Sequence, residues 1–183
     1  MRILAAATTE FARAGYGAAR VEAVARAAGV AEGTVYYLFG SKRGLLHAVG
    51  EAYGEGLASA AFGGLPPDFH PRDIGLVVSR IFAHVRATPG PLTAFLLMMQ
   101  PGDGGPARDA SRARMLAAIE ANLRAWRERG WIPEMDLRIA AGLHFGLVES
   151  AVRDCFLLGG GAGEERWVAE TTRCLAACLG QRG

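Results

Sequence analysis

The sequence predicts an all-α fold in which an N-terminal three-helix, helix-turn-helix domain precedes a C-terminal helical bundle. Apolar residues recur every three or four positions along most of the 183 residues, and breaks rich in Gly and Pro separate the periodic segments. No stretch alternates apolar and polar residues as a half-buried strand does, and no internal repeat is present. With 51% hydrophobic residues, the chain is long enough to bury a substantial core.

The first three predicted helices are short and closely spaced. The first covers residues 2–14, and its apolar stripe is expected to pack behind the other two. The second ends at Gly29, where a helix C-terminus requires a left-handed residue. The third covers residues 32–39 and places Val35 and Phe39 on one side, so its other side is free to face a partner. A helix, a Gly-containing turn and a second helix form the arrangement that lays the second helix in the major groove of DNA.

A longer helix is expected to connect the two halves of the chain. It begins at Lys42, after Ser41 as a suitable N-cap, and its apolar periodicity continues to about residue 61. Three glycines inside it each weaken the helix by up to about 1 kcal/mol and mark a place for it to bend. These glycines are Gly50, Gly54 and Gly56. Residues 63–71 are dense in Gly and Pro and are predicted to form a linker.

Five further helices are predicted after the linker, separated by Gly-rich breaks at 101–106 and 159–163. Their expected ranges are 72–88, 92–99, 107–129, 135–158 and 164–179. The helix at 135–158 has more apolar surface than one contact face requires. The surplus residues are Leu143, Leu147, Phe156 and Leu158.

Residues 15–46 resemble the DNA-binding domain of the tetracycline-repressor (TetR) family of bacterial transcription regulators. The family signature appears in order as Gly29-Val30, Gly33-Thr34-Val35-Tyr36, Phe39, Ser41-Lys42 and Leu45-Leu46. Together with the preceding helix, the resemblance covers about a quarter of the chain. It implies a TetR-like fold with a DNA-binding domain at 1–46 and an effector-binding and dimerisation domain at 47–183.

The resemblance also implies which side chains meet DNA. The residues expected at the groove are Glu32, Gly33, Thr34, Tyr36 and Tyr37, with Lys42 on a phosphate at the start of the next helix. Hydroxyls and a lysine suit phosphate oxygens, and a bare glycine lets the backbone approach closely. Glu32 has two interpretations, since its carboxylate can accept a bond from a cytosine amino group or lie at the rim of the interface. We favour the rim.

Three positions depart from the family pattern. Ala19 and Arg20 stand where the family usually has hydroxyl residues, and Ala31 stands where it often has Ser. Two helix N-caps are therefore expected to be weak. Arg20 is expected to replace the phosphate contact of a hydroxyl with a charged one. The basic arm that many members carry upstream is expected to be missing, so minor-groove contacts by such an arm are not predicted.

Charge and cysteine content place the DNA-binding function at one end of a cytoplasmic protein. Residues 1–50 carry six basic and three acidic side chains, a balance of +3, while the remaining 14 basic and 15 acidic side chains give −1. Only the N-terminal part therefore favours a polyanion. Three cysteines without disulfide-framework spacing fit a reducing compartment, and no secretion signal or membrane span is recognisable.

For the C-terminal part, the resemblance implies a small-molecule pocket within the bundle and a homodimer built by the last two helices. An apolar or aromatic effector is expected, because the candidate lining residues are rich in aromatics and methionines. These candidates are Tyr53, Phe82, His84, Phe95, Met98, Met99, Trp126 and His144. Aromatic residues and methionines at helical spacing are more often plain core.

The sequence predicts neither catalysis nor a cofactor, because it contains no nucleophile, phosphate-loop or dinucleotide motif and no catalytic residues are identified. No metal site is predicted either, although Cys155, Cys174 and Cys178 leave a thiolate sensor open beside an interpretation as small interface residues. The predicted function is a ligand-responsive regulator, most simply a repressor released from operator DNA by its effector. Two other classes remain open, namely a protein-interaction module and a small-molecule carrier or enzyme.

Overall fold

The structure, a computed structural model, describes residues 2–99, 105–159 and 163–181, and for residues 98, 99 and 105–111 it describes the backbone alone. Within these ranges the chain is 79% helical and has no strand. The α-helices are α1 (Arg2–Ala18), α2 (Val21–Ala28), α3 (Glu32–Phe39), α4 (Lys42–Phe62), α5 (Gly75–Ala87), α6 (Leu92–Met99), α7 (Gly105–Glu128), α8 (Leu137–Phe156) and α9 (Glu164–Cys178). The predicted fold class is confirmed. The predicted breaks at 101–106 and 159–163 lie partly outside the described residues.

Two compact units make up the chain. One consists of Met1–Gly56 and Thr88–Arg112, and the other of Leu57–Ala87 and Ala113–Gly183. The functional border expected between residues 46 and 47 stays a prediction, because compactness does not test which residues bind DNA or an effector.

The N-terminal unit is organised around a core between α1, α2, α3 and α4. Its most deeply buried side chains include Ala7, Val24, Val35 and Leu45, each at most 1% exposed. These residues belong to four different helices, so a single cluster fixes the mutual orientation of the helix-turn-helix pair and its two supports. Ala94 of α6 joins the same cluster.

Glycines end the helices of this unit where the backbone must turn. Gly29 follows α2 with a φ of 68°, and its N–H and that of Val30 donate to carbonyls of the last turn of α2. Such a left-handed position favours glycine because it has no Cβ. Gly15 has a φ of 72° within α1, so α1 is kinked there and its last residues turn toward α2.

The C-terminal unit packs α5 against α8 and α9, and α8 against α9. Its fully buried side chains include Phe82, Leu123 and Leu179. A Cβ on Gly75 would lie 3.0 Å from the Thr172 methyl carbon, so α5 approaches α9 closely at this glycine. The Arg86 guanidinium also donates to the Glu164 carboxylate at 2.9 Å, which joins the end of α5 to the start of α9.

Several details differ from the sequence predictions. The helix expected from residue 72 begins at Gly75, because Pro71–Asp73 form a 3-10 turn capped by the His70 side chain. The three glycines of α4 do not interrupt it. At the end of α9, Cys178 is exposed and Leu179 is buried. None of the helices in the described ranges has the length and apolarity that a membrane span requires.

Candidate nucleic-acid interface and effector residues

Helix α3 presents an unusually open surface. Val35 is its buried residue at 1% exposure, whereas Tyr36, Tyr37 and Leu38 are 44%, 88% and 56% exposed. Thr34 and Gly33 are also exposed, and helical spacing puts both on the side of Tyr37. A helix anchored by one side and exposing two tyrosines on the other has a surface suited to a partner.

Glu32 lies at the flank of this surface. It is exposed, and it is four residues before Tyr36 and seven before Phe39, a half-buried residue that packs against the N-terminal core. This places Glu32 nearer to the packed side of α3 than Gly33 or Tyr37 are. The position is compatible with the rim interpretation of its role.

The N-cap residues of α2 and α3 do not cap these helices with their own side chains. The N-cap residues Arg20 and Ala31 are extended, and neither side chain accepts a hydrogen bond from the helix that follows. The expectation of two weak caps is confirmed. At the start of α4, by contrast, the Ser41 hydroxyl accepts a bond from the Gly44 N–H at 3.0 Å, as predicted.

Lys42 has a defined place beside the end of α1. Its ammonium group donates to the Gly17 carbonyl at 2.8 Å and lies 4.9 Å from the centroid of the Tyr16 ring. An ammonium group has three N–H donors, so this bond leaves two donors for a phosphate. Lys42 therefore combines an internal contact with the capacity for the predicted external one.

Arg20 is exposed, and its backbone N–H has a partner that the sequence did not predict. The Glu10 carboxylate of α1 accepts this N–H at 3.3 Å and also accepts the Arg13 guanidinium at 2.8 Å. The bond from Arg13 lowers the pKa of Glu10, burial raises it, and the bond from the Arg20 N–H lowers it, with a net pKa below the ordinary value. Glu10 is 8% exposed, so a charged group lies at the edge of the N-terminal core.

The effector candidates of the N-terminal unit include one ring pair. The rings of Tyr53 on α4 and Phe95 on α6 lie 5.8 Å apart in an edge-on arrangement, and both residues are buried. Burial raises the pKa of Tyr53 to about 12, an effect opposed by a hydrogen bond with the Thr88 side chain. The phenol is therefore neutral at physiological pH. The side chains of Met98 and Met99 lie outside the described residues.

The remaining candidates belong to the C-terminal unit, and two of them have core partners. The Phe82 ring packs 5.7 Å from the Phe156 ring. The Trp126 ring packs 6.0 Å from the Phe69 ring, and its Nε1–H donates to the Phe69 carbonyl at 2.7 Å. These contacts give both residues a structural role whether or not an effector reaches them. His84 on α5 is half-buried.

His144 lies buried on α8 at 8% exposure, and burial lowers its pKa because the charged imidazolium is poorly solvated there. Its folded-state pKa is below the unfolded value of about 6.5. The contribution of neutral His144 to the stability of the fold is therefore complete above that pH and declines as the pH falls toward the folded-state pKa. We expect the Tm of the protein to fall between pH 7.5 and 5.5, and His144→Leu to reduce that fall.

Melting curves at several pH values test this expectation. The matched control is His84→Gln, which removes a histidine elsewhere in the same unit and leaves His144 in place, so the fall in Tm should persist. An unchanged pH dependence in His144→Leu would show that other groups cause the fall.

The cysteines do not form a metal site in the described part of the chain, where no cluster of three or more His, Cys, Asp or Glu side chains occurs. Burial raises the pKa of Cys155, and the nearby Glu164 charge raises it further, so its thiol is protonated rather than reactive. Cys174 and Cys178 are exposed on α9 in the single chain, and their expected place in the subunit interface stays a prediction.

Exposed apolar side chains are concentrated on and just after α8. Ile139 and Leu143 are 62% and 65% exposed, and Leu157 and Leu158 follow the end of the helix. Gly142 and Gly146 lie beside them on α8, and nothing lies within 4 Å of a Cβ added at either one. Of the surplus apolar residues predicted for this helix, Leu143 and Leu158 are thus exposed, whereas Leu147 and Phe156 are half-buried.

A comparison with protein-family models matches residues 3–49 to the bacterial regulatory proteins of the tetR family. The matched range contains α1, α2, α3 and the start of α4, so the resemblance seen in the sequence is confirmed. No curated protein sequence matches this chain.

Solved structures of bacterial regulators share the fold over the full chain. The transcriptional regulator FadR of Bacillus subtilis, solved with stearoyl-CoA, has a TM-score of 0.81 at 20% identity, covering 100% of this chain and 99% of its own. The fatty acid degradation regulator FadR of Bacillus halodurans has a TM-score of 0.76 at 21% identity, covering 95% and 96%. The TetR-family regulator PfmR of Thermus thermophilus has a TM-score of 0.70 at 21% identity, covering 100% of both chains. At such identities these likenesses establish the fold.

Proposed function

We propose that this protein is a homodimeric, cytoplasmic repressor, and that residues 3–49, which match the bacterial regulatory proteins of the tetR family, form its DNA-binding domain. Operator DNA is bound by the N-terminal domain, and a small apolar or aromatic effector bound in the C-terminal bundle releases it. The protein acts by binding and not by catalysis.

The open surface of α3 carries this proposal. Tyr37 is 88% exposed on a helix whose opposite side is anchored by Val35. Soluble surfaces seldom expose neighbouring aromatic side chains without a partner. An α-helix of this kind fits the major groove, where hydroxyl groups bond to phosphates and base edges.

The proposed DNA contacts divide into two kinds. Gly33, Thr34, Tyr36 and Tyr37 meet the groove, while Arg20 and Lys42 meet phosphates. Glu32 lies at the rim of the contact, where it disfavours close approach of a phosphate. Sequence preference therefore comes from α3, and affinity without sequence preference comes from the two cations.

A dimer makes two such helices act together. Ile139, Leu143 and the leucines after α8 are exposed in the single chain, and we propose that α8 and α9 cover them by pairing with a second copy. Two recognition helices then read half-sites about one helical turn (~34 Å), or a multiple of it, apart. An effector changes the course of α4, and the distance between recognition helices no longer fits the two half-sites.

For the effector, an apolar chain or ring is the favoured chemistry. The candidate residues offer aromatic surface with few polar groups, which suits an apolar ligand better than a sugar or phosphate. The fold neighbour from Bacillus subtilis was solved with stearoyl-CoA, whose acyl chain is apolar, and this supports long-chain acyl groups as a first class to test.

The proposal is tested in two steps. Duplexes selected from a random pool by the protein should share a two-fold repeat and bind more tightly than unselected duplex. A thermal-shift screen of acyl-CoA thioesters and aromatic acids should then identify a ligand that raises Tm and lowers the affinity for the selected duplex.

Each step has an outcome that contradicts part of the proposal. Failure to bind any duplex at low salt would favour a protein-interaction module. A ligand that raises Tm without changing DNA affinity would favour a carrier role for the bundle.

A further inference from the structure

Glu10 is a buried carboxylate that the DNA interface described above does not use. One of its oxygens accepts the Arg13 guanidinium at 2.8 and 3.2 Å, and the other accepts the backbone N–H of Arg20 at 3.3 Å. The Glu10 side chain is 10% exposed, whereas that of Arg13 is 69% exposed. The carboxylate is therefore directed from α1 toward the junction with α2 and not into solvent.

The bond to the Arg20 N–H caps the N-terminus of α2. Arg20 is the N-cap residue of this helix, and its own side chain makes no capping bond. In a capping box, a Glu or Gln three residues after the N-cap accepts the N-cap N–H, but that position here is Ala23. Glu10 accepts the same N–H from a different helix, ten residues earlier in the chain. A negative charge at this place also complements the positive end of the α2 dipole.

The same junction carries Arg20, the proposed phosphate contact that lies before α2. The direction in which its side chain leaves the backbone depends on how the N-cap is held. Among the described residues, the charged groups that act on the Glu10 carboxylate are Arg13 and Arg20, and both lower its pKa.

We propose that Glu10 is a positioning residue for DNA binding, which caps α2 from α1 and thereby orients Arg20 toward a phosphate. The inference rests on the proposed DNA-binding function. It assigns a role in recognition to a residue that lies inside the domain and does not itself touch DNA.

A double-mutant cycle tests this role. The variants are Glu10→Met, Arg20→Ala and both together, and the measured quantity is the Kd for a mixed-sequence duplex long enough for two half-sites, at low salt. Each single change should raise the Kd about tenfold. The Kd of the double variant should not exceed the larger of the two single-variant values, because both changes remove the same phosphate contact. E10Q retains an acceptor oxygen and should restore most of the affinity that E10M loses.

Arg13→Ala is the matched control, since it removes the ion pair and leaves the bond to the Arg20 N–H in place. Parental binding by E10M, or a double variant about 100-fold weaker as the product of two independent losses, would overturn the inference. If E10M does not fold, amide hydrogen exchange of Arg20 in the parent protein decides instead, with protection expected and the rate of an unbonded amide contradicting the cap. Absence of any duplex binding by the parent would instead contradict the proposed function itself.

Discussion

Replacing Tyr37 with alanine is expected to weaken binding to the selected duplex about tenfold or more and to change binding to unselected duplex little. The side chain is 88% exposed and lies opposite the buried Val35, so its removal leaves the core intact. A contact to a base edge contributes roughly 1–3 kcal/mol of discrimination, and 1.4 kcal/mol is a factor of ten in Kd. Titration of both duplexes with the parent and with Tyr37→Ala measures the ratio of the two affinities.

Tyr37→Phe separates the hydroxyl from the ring within this experiment. An equal loss in Tyr37→Phe and Tyr37→Ala would assign the discrimination to the hydroxyl group. An unchanged ratio in Tyr37→Ala would contradict the placement of α3 in the groove.

Lys42→Ala should behave differently from Tyr37→Ala, because a phosphate contact carries no sequence information. Both duplexes should bind more weakly by the same factor, and the slope of log K against log salt should decrease by about 1. Arg26→Ala is the matched control, since it removes one positive charge from the same unit at a residue paired with Glu22 at 3.2 Å. An unchanged salt slope in Lys42→Ala would show that its ammonium serves the Gly17 carbonyl alone.

The helix-turn-helix region was predictable from sequence because its signals are local. Gly29 and Gly40 end α2 and α3 at left-handed positions with φ values of 68° and 72°, and such positions favour glycine over every other residue. The bounds of α3 are therefore the same in the prediction and in the structure. Apolar spacing then identified Val35 as its core anchor.

The role of Glu10 was not predictable by the same means. A glutamate in a helix is ordinarily a solvated side chain, and its partner is a backbone N–H in another helix, which leaves no periodic signal in the sequence. The kink at Gly15 lies between the two groups in the chain, and it too leaves no apolar periodicity that would point to their contact.

Sequence alone could not show which of the effector candidates line a pocket. An aromatic side chain at helical spacing has the same sequence pattern whether it fills a core or lines a pocket. Phe82 and Trp126 pack against Phe156 and Phe69, and neither arrangement distinguishes the two roles without a ligand. The candidates therefore stay predictions, and the thermal-shift screen is their test.

The largest effect is expected from separating the two subunits. Leu143 is 65% exposed on α8, and a glutamate at this position would place a charge inside the proposed contact between subunits. We expect Leu143→Glu to sediment as a monomer and to bind the selected duplex about 100-fold or more weakly, because linked sites typically gain roughly 10²–10⁴ in affinity. Its salt slope should be about half that of the parent, since one copy contacts half as many phosphates.

Leu76→Glu is the matched control for this experiment, because Leu76 is also an exposed leucine of the C-terminal unit but lies on α5. This variant should remain dimeric and bind DNA like the parent. A Leu143→Glu protein that stays dimeric would contradict the assignment of α8 to the subunit contact. One copy offers only α3 and its two neighbouring cations as proposed DNA contacts. A monomer that retains full affinity would show that this single set of contacts suffices, and would contradict the need for a dimer.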